Sequence, residues 1–140
     1  MDNLTNQDVF HRLQQKSRYV TKLINTGLKD HGLFMSQWSI LFCLGKFGPM
    51  TQTEIWSYLN VEAPTTTRTL ERLEKSGWII RNQGTDKRER IIELSDDAKA
   101  TFSTIIERVE IIEKELLQGF SEAEKAQLYQ LLGKIGPLGE

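Results

Sequence analysis

Residues 51–95 read TQTEIWSYLNVEAPTTTRTLERLEKSGWIIRNQGTDKRERIIELS, and the order of signals in this stretch decides the fold. Thr51-Gln52-Thr53-Glu54 is a capping box, with a hydroxyl at the first position and a carboxylate three residues on, so a short helix is predicted over roughly Gln52 to Leu59. Asn60-Val61-Glu62-Ala63 forms a tight turn. Pro64 suits the first turn of a following helix, where its missing N–H leaves no bond unmade. That helix is predicted to run to Lys75, with Gly77 as its stop. The period then changes. Trp78-Ile79-Ile80-Arg81-Asn82 and Arg90-Ile91-Ile92-Glu93-Leu94 are β-rich, and the polar turn Gln83-Gly84-Thr85-Asp86-Lys87-Arg88 lies between them. Two such runs around a Gly/Asp turn read as a hairpin.

Helix, turn, helix and hairpin in this order make the winged helix-turn-helix pattern. The flanks are helical. Upstream, Thr5 and Asp8 cap a first helix with apolar positions at Val9, Leu13, Val20, Ile24 and Leu28, ended by Gly27 and Asp30-His31-Gly32. Ser36 caps a second helix through Trp38, Leu41, Phe42 and Leu44, which Gly48-Pro49 stops. Downstream, Ser95 caps a long fifth helix with a seam of Ala98, Phe102, Ile105, Val109, Ile112 and Leu116. Ser121-Glu122-Ala123-Glu124 is a further capping box, opening a sixth helix through Leu128, Leu131, Leu132 and Ile135. The expected fold class is mainly α with a small β-hairpin wing. Residues 1–34 form an N-terminal helical region, 35–95 the winged helix-turn-helix and 96–140 a C-terminal helical region.

The composition narrows the function. No run of eighteen apolar residues exists, so a transmembrane helix is not expected. The start of the chain lacks the basic lead and apolar core of a secretory signal. The single cysteine, Cys43, forms no internal disulfide, which fits a reducing cytoplasm. No metal-ligand spacing, nucleophile–base pair or phosphate loop appears, so neither a metal, a cofactor nor a catalytic residue is expected. The net charge of −1 hides a segregation. Residues 68–92 carry seven basic against four acidic side chains, whereas residues 93–140 carry five basic against ten acidic. Phosphate affinity follows the local patch, so the middle of the chain is the candidate contact surface for double-stranded DNA.

Within that patch, Pro64, Thr65, Thr66, Thr67, Arg68, Thr69 and Arg72 form the candidate recognition helix. Leu70 and Leu73 face the core, leaving Thr65, Thr66, Thr69, Arg68 and Arg72 for solvent or a groove. Short polar side chains near a helix N-terminus let the backbone approach DNA, and Arg beyond them reaches guanine edges or phosphates. The bland alternative is a solvated face, although four threonines in five positions fit a surface helix poorly. Ser36, Gln37, Thr51, Gln52 and Thr53 are the candidate supports of the helix-turn-helix on DNA. Thr85, Asp86, Lys87, Arg88 and Arg90 form the candidate wing. An Arg88 held by Asp86 suits a narrow minor groove, and an ordinary charged hairpin tip is the alternative.

The run from Thr51 to Ser95 resembles the multiple-antibiotic-resistance regulator (MarR) family. The residues that carry the resemblance are Thr51-Gln52 with Glu54, Pro64-Thr65 with Thr67-Arg68, Leu73-Glu74-Lys75-Ser76-Gly77-Trp78-Ile79, Asp86-Lys87-Arg88, and Ile92-Glu93-Leu94-Ser95. The flanking helices match the family layout, so the resemblance covers nearly the whole chain. It implies a homodimer joined through the first, fifth and sixth helices, straddling a pseudo-palindromic operator, and small-molecule control in many members. The seam on the fifth helix points to the same dimer, unless that helix packs within its own protomer. By resemblance an effector pocket lies between the dimerisation helices and the winged domain. Lys16, Tyr19, Trp38 and Phe42 are its candidate lining, suited to an aromatic or phenolic acid, unless Trp38 and Phe42 are core. Thiol-sensing members use a cysteine in the first helix, which has none here. Cys43 sits in an apolar run and reads as a buried thiol rather than a sensor. The expected function is a DNA-binding transcriptional repressor. The alternative is a winged helix that binds only protein.

Overall fold

The computed structural model describes residues 3–83 and 90–136, which form six helices and a small sheet. The order is α1 (Asn6–Leu28), a 3-10 turn (Lys29–His31), α2 (Met35–Phe47), β1 (Met50–Thr51), α3 (Gln52–Leu59), α4 (Ala63–Lys75), β2 (Ile79–Gln83), β3 (Arg90–Leu94), α5 (Asp96–Leu116) and α6 (Glu122–Gly133). The sheet is antiparallel in the order β1-β3-β2, with Ile79 opposite Leu94, Gln83 opposite Arg90 and Met50 opposite Ile92. Strand β1 is a two-residue piece that no alternation announces, and the sequence reading did not contain it.

Four of the predicted caps form. The hydroxyls of Thr5, Thr51, Ser95 and Ser121 accept from the N–H groups of Asp8, Glu54, Ala98 and Glu124. The start of α2 corrects the reading at Ser36. The helix begins at Met35, whose N–H donates to Asn25 Oδ1 on α1 at 2.6 Å, while the Phe34 N–H donates to Gln37 Oε1 at 2.9 Å. Ser36 lies inside the first turn and is exposed. A partner ten residues back caps the helix, and a scan for local Ser/Thr signals does not look there.

One core runs through the chain. Ile24 and Leu28 of α1, Leu41 and Leu44 of α2, Ile55 of α3, Leu70 and Leu73 of α4, Ile79 and Ile92 of the sheet, and Ile105 and Val109 of α5 are all buried together. Gly27 does not end α1, as its sequence suggested. It lies inside the helix and is buried, and a Cβ there would collide with the Ile112 side chain of α5. Glycine at this position lets α1 and α5 approach closely.

This packing revises the reading of α5. Its seam of Ala98, Ile105 and Val109 is buried against its own protomer, with Phe102, Ile106 and Ile112 packed alongside. The apolar surface left uncovered lies elsewhere. Leu4, Val9 and Phe10 at the start of the chain, Ile111 and Phe120 on α5 and its following loop, and Leu131, Leu132 and Ile135 at the end are all exposed. No side chain of α6 is buried.

The capping boxes carry a pH dependence. The carboxylates of Asp8, Glu54 and Glu124 accept from the backbone N–H groups of Thr5, Thr51 and Ser121 at 3.1, 3.0 and 2.9 Å. Those bonds, then the cap hydroxyls, hold their pKa values below the ordinary 3.8 of aspartate and 4.5 of glutamate. A depressed folded-state pKa stabilises the fold above the ordinary value, and that contribution is lost as pH falls through the lowered one. Glu113 works in the opposite sense, because burial and the neighbouring Glu110 raise its pKa. The triple variant Asp8→Asn, Glu54→Gln, Glu124→Gln is expected to melt lower at neutral pH and to show a flatter acid limb. Thermal melts across pH check this, and an equally steep acid limb in the variant contradicts it.

Candidate nucleic-acid interface

Helix α4 divides cleanly. Leu70 and Leu73 enter the core, while Pro64, Thr65, Arg68 and Arg72 are exposed. Arg68 and Arg72 are one turn apart and share a face, with Thr65 one turn before them. With Lys75, Glu71 and Glu74 they line a shallow open hollow. Thr66 corrects the sequence reading. It is buried, and its hydroxyl donates to the Glu62 carbonyl at 3.2 Å. Thr67 and Thr69 are half-buried and likewise donate to carbonyls four residues back, of Ala63 and Thr65, at 3.0 Å each. Such bonds satisfy the hydroxyls inside the helix, so these threonines serve the fold as much as the surface.

The supports are equally specific. Gln52 Nε2 donates to the Thr67 hydroxyl, tying the first turn of α3 to α4 and setting the angle between the two helices. Thr51 caps α3, and Gln37 caps α2 through its side chain. Ser36 and Thr53 are exposed beside them. At the other end of α4, Arg81 of β2 is only 12% exposed and lies 3.4 Å from the Glu74 carboxylate, an ion pair too poorly aligned for a hydrogen bond. The Ser95 hydroxyl donates to the Gly77 carbonyl at 2.7 Å, and its N–H to the Trp78 carbonyl at 2.9 Å. Ser95 thus joins the end of α4, the root of the hairpin and the start of α5. Arg81 carries no local signal that singles it out, since a lone arginine in a β-run looks like an outward-facing residue.

Of the wing residues, Arg90 is exposed at the start of β3. Thr85, Asp86, Lys87 and Arg88 lie outside the described residues.

A second feature lies between α2, α3 and α5. Trp38, Phe42 and Cys43 of α2, Tyr58 of α3, and Ile106 and Val109 of α5 border a cleft of about 350 Å³, with Glu110 and Glu113 also in its lining. Trp38 is almost fully buried and packs at 5.5 Å on Phe102 and 6.1 Å on Phe42, so it belongs to the core and to the cleft wall together. Lys16 and Tyr19 do not join it. Both are exposed on α1, the Lys16 ammonium 5.9 Å from the Tyr19 ring centre. The charged side chains of the cleft are carboxylates, so the expected cation is absent from its lining. Cys43 is buried, and burial raises its thiol pKa against a smaller lowering by Lys46, which favours the unreactive thiol.

A three-stranded sheet flanked by helices, with a basic α4 displayed at the surface, defines a winged helix-turn-helix protein. The MarR family model matches residues 33–89. The uncharacterized HTH-type transcriptional regulator YwoH of Bacillus subtilis is 48% identical over 120 residues, covering 86% of this chain and 88% of that protein. The regulator PecS of Dickeya dadantii is 29% identical over 132 residues, covering 91% and 79%. Among solved structures, a mutant MarR from E. coli complexed with operator DNA superposes with a TM-score of 0.85 at 24% identity, covering 97% of this chain and all of that one. Reduced AbfR bound to DNA superposes with a TM-score of 0.76 at 26% identity, covering 91% and 88%. The chain belongs to the MarR family of winged helix-turn-helix transcriptional regulators. The family consists of regulators rather than enzymes. Among the described residues no helix is long and apolar enough to cross a membrane.

Proposed function

We propose that the protein is a homodimeric repressor that binds a pseudo-palindromic operator in double-stranded DNA. Helix α4 enters the major groove and the wing the minor groove. The observation that carries the reading is the exposed face of α4. Thr65, Arg68 and Arg72 point away from the core, on a helix braced at one end by Gln52 and at the other by Arg81 and Ser95. Short residues followed by arginines are what close approach and edge reading require. A MarR mutant from E. coli with this fold is complexed with operator DNA, and reduced AbfR is bound to DNA, which supports DNA as the partner. Residues 35–95 are the DNA-binding unit, and residues 1–34 and 96–140 join the two protomers. A dimer seated on an operator occludes polymerase, which makes repression its direct consequence. A small effector acting from the α2–α3–α5 cleft relieves it, in the cytoplasm where the operator lies.

In this reading Arg88 anchors the wing and Asp86 orients it. Arg88→Ala removes one phosphate-neutralising charge per subunit, so the salt slope of the dimer should shrink by about 1.8. Affinity should fall by about 1–3 kcal/mol per wing. Asp86→Ala should cost less, and the double variant should be non-additive because the two act as one unit. Fluorescence titrations of duplex DNA across a salt series test this. Absence of duplex binding by the wild type overturns the function, and an unchanged slope in Arg88→Ala removes the wing from the contact.

A further inference from the structure

The cleft between α2, α3 and α5 combines three features that bear on the chemistry of its occupant. Its volume of about 350 Å³ falls within the range of small-molecule sites. Trp38, Phe42 and Tyr58 give it three aromatic rings from two helices, and Ile106 and Val109 an aliphatic side. Glu110 and Glu113, three residues apart on α5, give it negative charge, and its lining contains no Lys, Arg or His. Lys46 of α2 is a cation close to the lining residue Phe42. It is not among the lining residues, and its ammonium sits 5.8 and 5.5 Å from the ring centres of Phe42 and Phe47.

We infer that this cleft binds a small aromatic organic cation, a quaternary or aromatic ammonium, rather than an aromatic acid. Ring faces attract cations through their quadrupole, most strongly where water is excluded. The two carboxylates supply the counter-charge and repel an anionic ligand. Glu113 also stands above the ordinary glutamate pKa, because burial and then Glu110 disfavour its charge. A bound cation relieves that cost, so ligand affinity weakens as pH falls toward the raised value. Glu110 and Glu113 of α5, Tyr58 of α3 and Cys43 of α2 are the titratable groups in the lining, and Glu113, with its raised pKa, carries the expected pH dependence.

The position gives the binding a consequence. One wall is α5, the other is the α2–α3 pair that carries α4, so an occupant wedges between the long helix and the reading head. This consequence rests on the proposed DNA-binding function. The binding itself does not, and the two are measured apart.

The test is calorimetric titration of the free protein with benzyltrimethylammonium, benzyl alcohol and salicylate. The ammonium is expected to bind at least about tenfold more tightly than salicylate. Glu113→Gln should lower ammonium affinity about tenfold and leave benzyl alcohol unchanged, with a smaller loss for Glu110→Gln. Ile106→Trp, which fills the cleft, should abolish binding of all three, with folding checked by circular dichroism. Lowering the pH should weaken the ammonium and not the alcohol. Salicylate binding as tightly as the ammonium, or ammonium affinity unmoved by Glu113→Gln, overturns the inference. Duplex titration of the ligand-free protein runs in parallel. Duplex binding without ammonium binding sinks this inference alone, and ammonium binding without duplex binding sinks the DNA reading alone.

Discussion

Leu132→Asp is expected to convert the dimer to monomers and to weaken operator binding by about a hundred- to ten-thousand-fold. Leu132 is 45% exposed in the protomer, on a helix that buries no side chain of its own. Its neighbours Leu131 and Ile135, and Val9 and Phe10 on α1, are similarly uncovered. Apolar surface left exposed at both ends of one chain is what the proposed dimer would cover. A two-fold axis places the new carboxylate in it twice, and a buried unpaired charge costs several kcal/mol each time. Separated subunits then bind half-sites independently and lose the avidity of the linked pair, which supplies the expected range. The protomer should still fold, because position 132 lies outside its core. Val109→Asp is the contrasting variant. Val109 is 3% exposed within the protomer, so the charge should unfold the chain rather than split the dimer. Sedimentation and circular dichroism separate the two outcomes. A folded Leu132→Asp dimer with wild-type affinity refutes this interface.

The second large effect belongs to α4. Arg68→Ala and Arg72→Ala are each expected to cost about 1–3 kcal/mol per contact, and each contact occurs twice in a dimer. The two arginines share a face, yet they need not do the same work, and salt separates their roles. If an arginine reads a guanine edge, its loss weakens the specific site and spares random duplex. If it neutralises a phosphate, its loss weakens both and reduces the slope by about 1.8 for the dimer. Thr66→Ala serves as the control on the same helix. Its hydroxyl is buried and bonded to Glu62, so its effect should fall on stability and leave the salt slope alone. Equal affinities for wild type, Arg68→Ala and Arg72→Ala on a selected site would exclude α4 as the reader.

Most of the fold was legible where signals are local. The capping boxes at Thr51 and Ser121, Pro64 at the start of α4 and the glycine stop at Gly77 are set by neighbours three or four residues away. Helices α3 and α4 accordingly begin and end within a residue of expectation. What the sequence hid depends on distant partners. Strand β1 is two residues long and exists because β3 offers it an edge. Asn25 caps α2 from another helix. Gly27 reads as a helix stop, and only the approach of Ile112 reveals it as a packing residue. The candidate site divides in the same way. Helical periodicity placed Arg68 and Arg72 on the outer face, while Thr66, one helical step from Thr65, rotates into the core. Periodicity also found the seam of α5 without saying which surface would cover it, and the protomer's own core took most of it. The cleft was the least legible part, since Tyr58, Glu110 and Glu113 look like ordinary surface residues until three helices meet.

Selection of bound duplexes from a random library by the purified full-length protein tests the central claim most directly. The account predicts enrichment of an inverted repeat, with half-sites about 10 bp apart from centre to centre, one for each α4 of a two-fold dimer. Enrichment of no sequence, or of a site without a dyad, would contradict it.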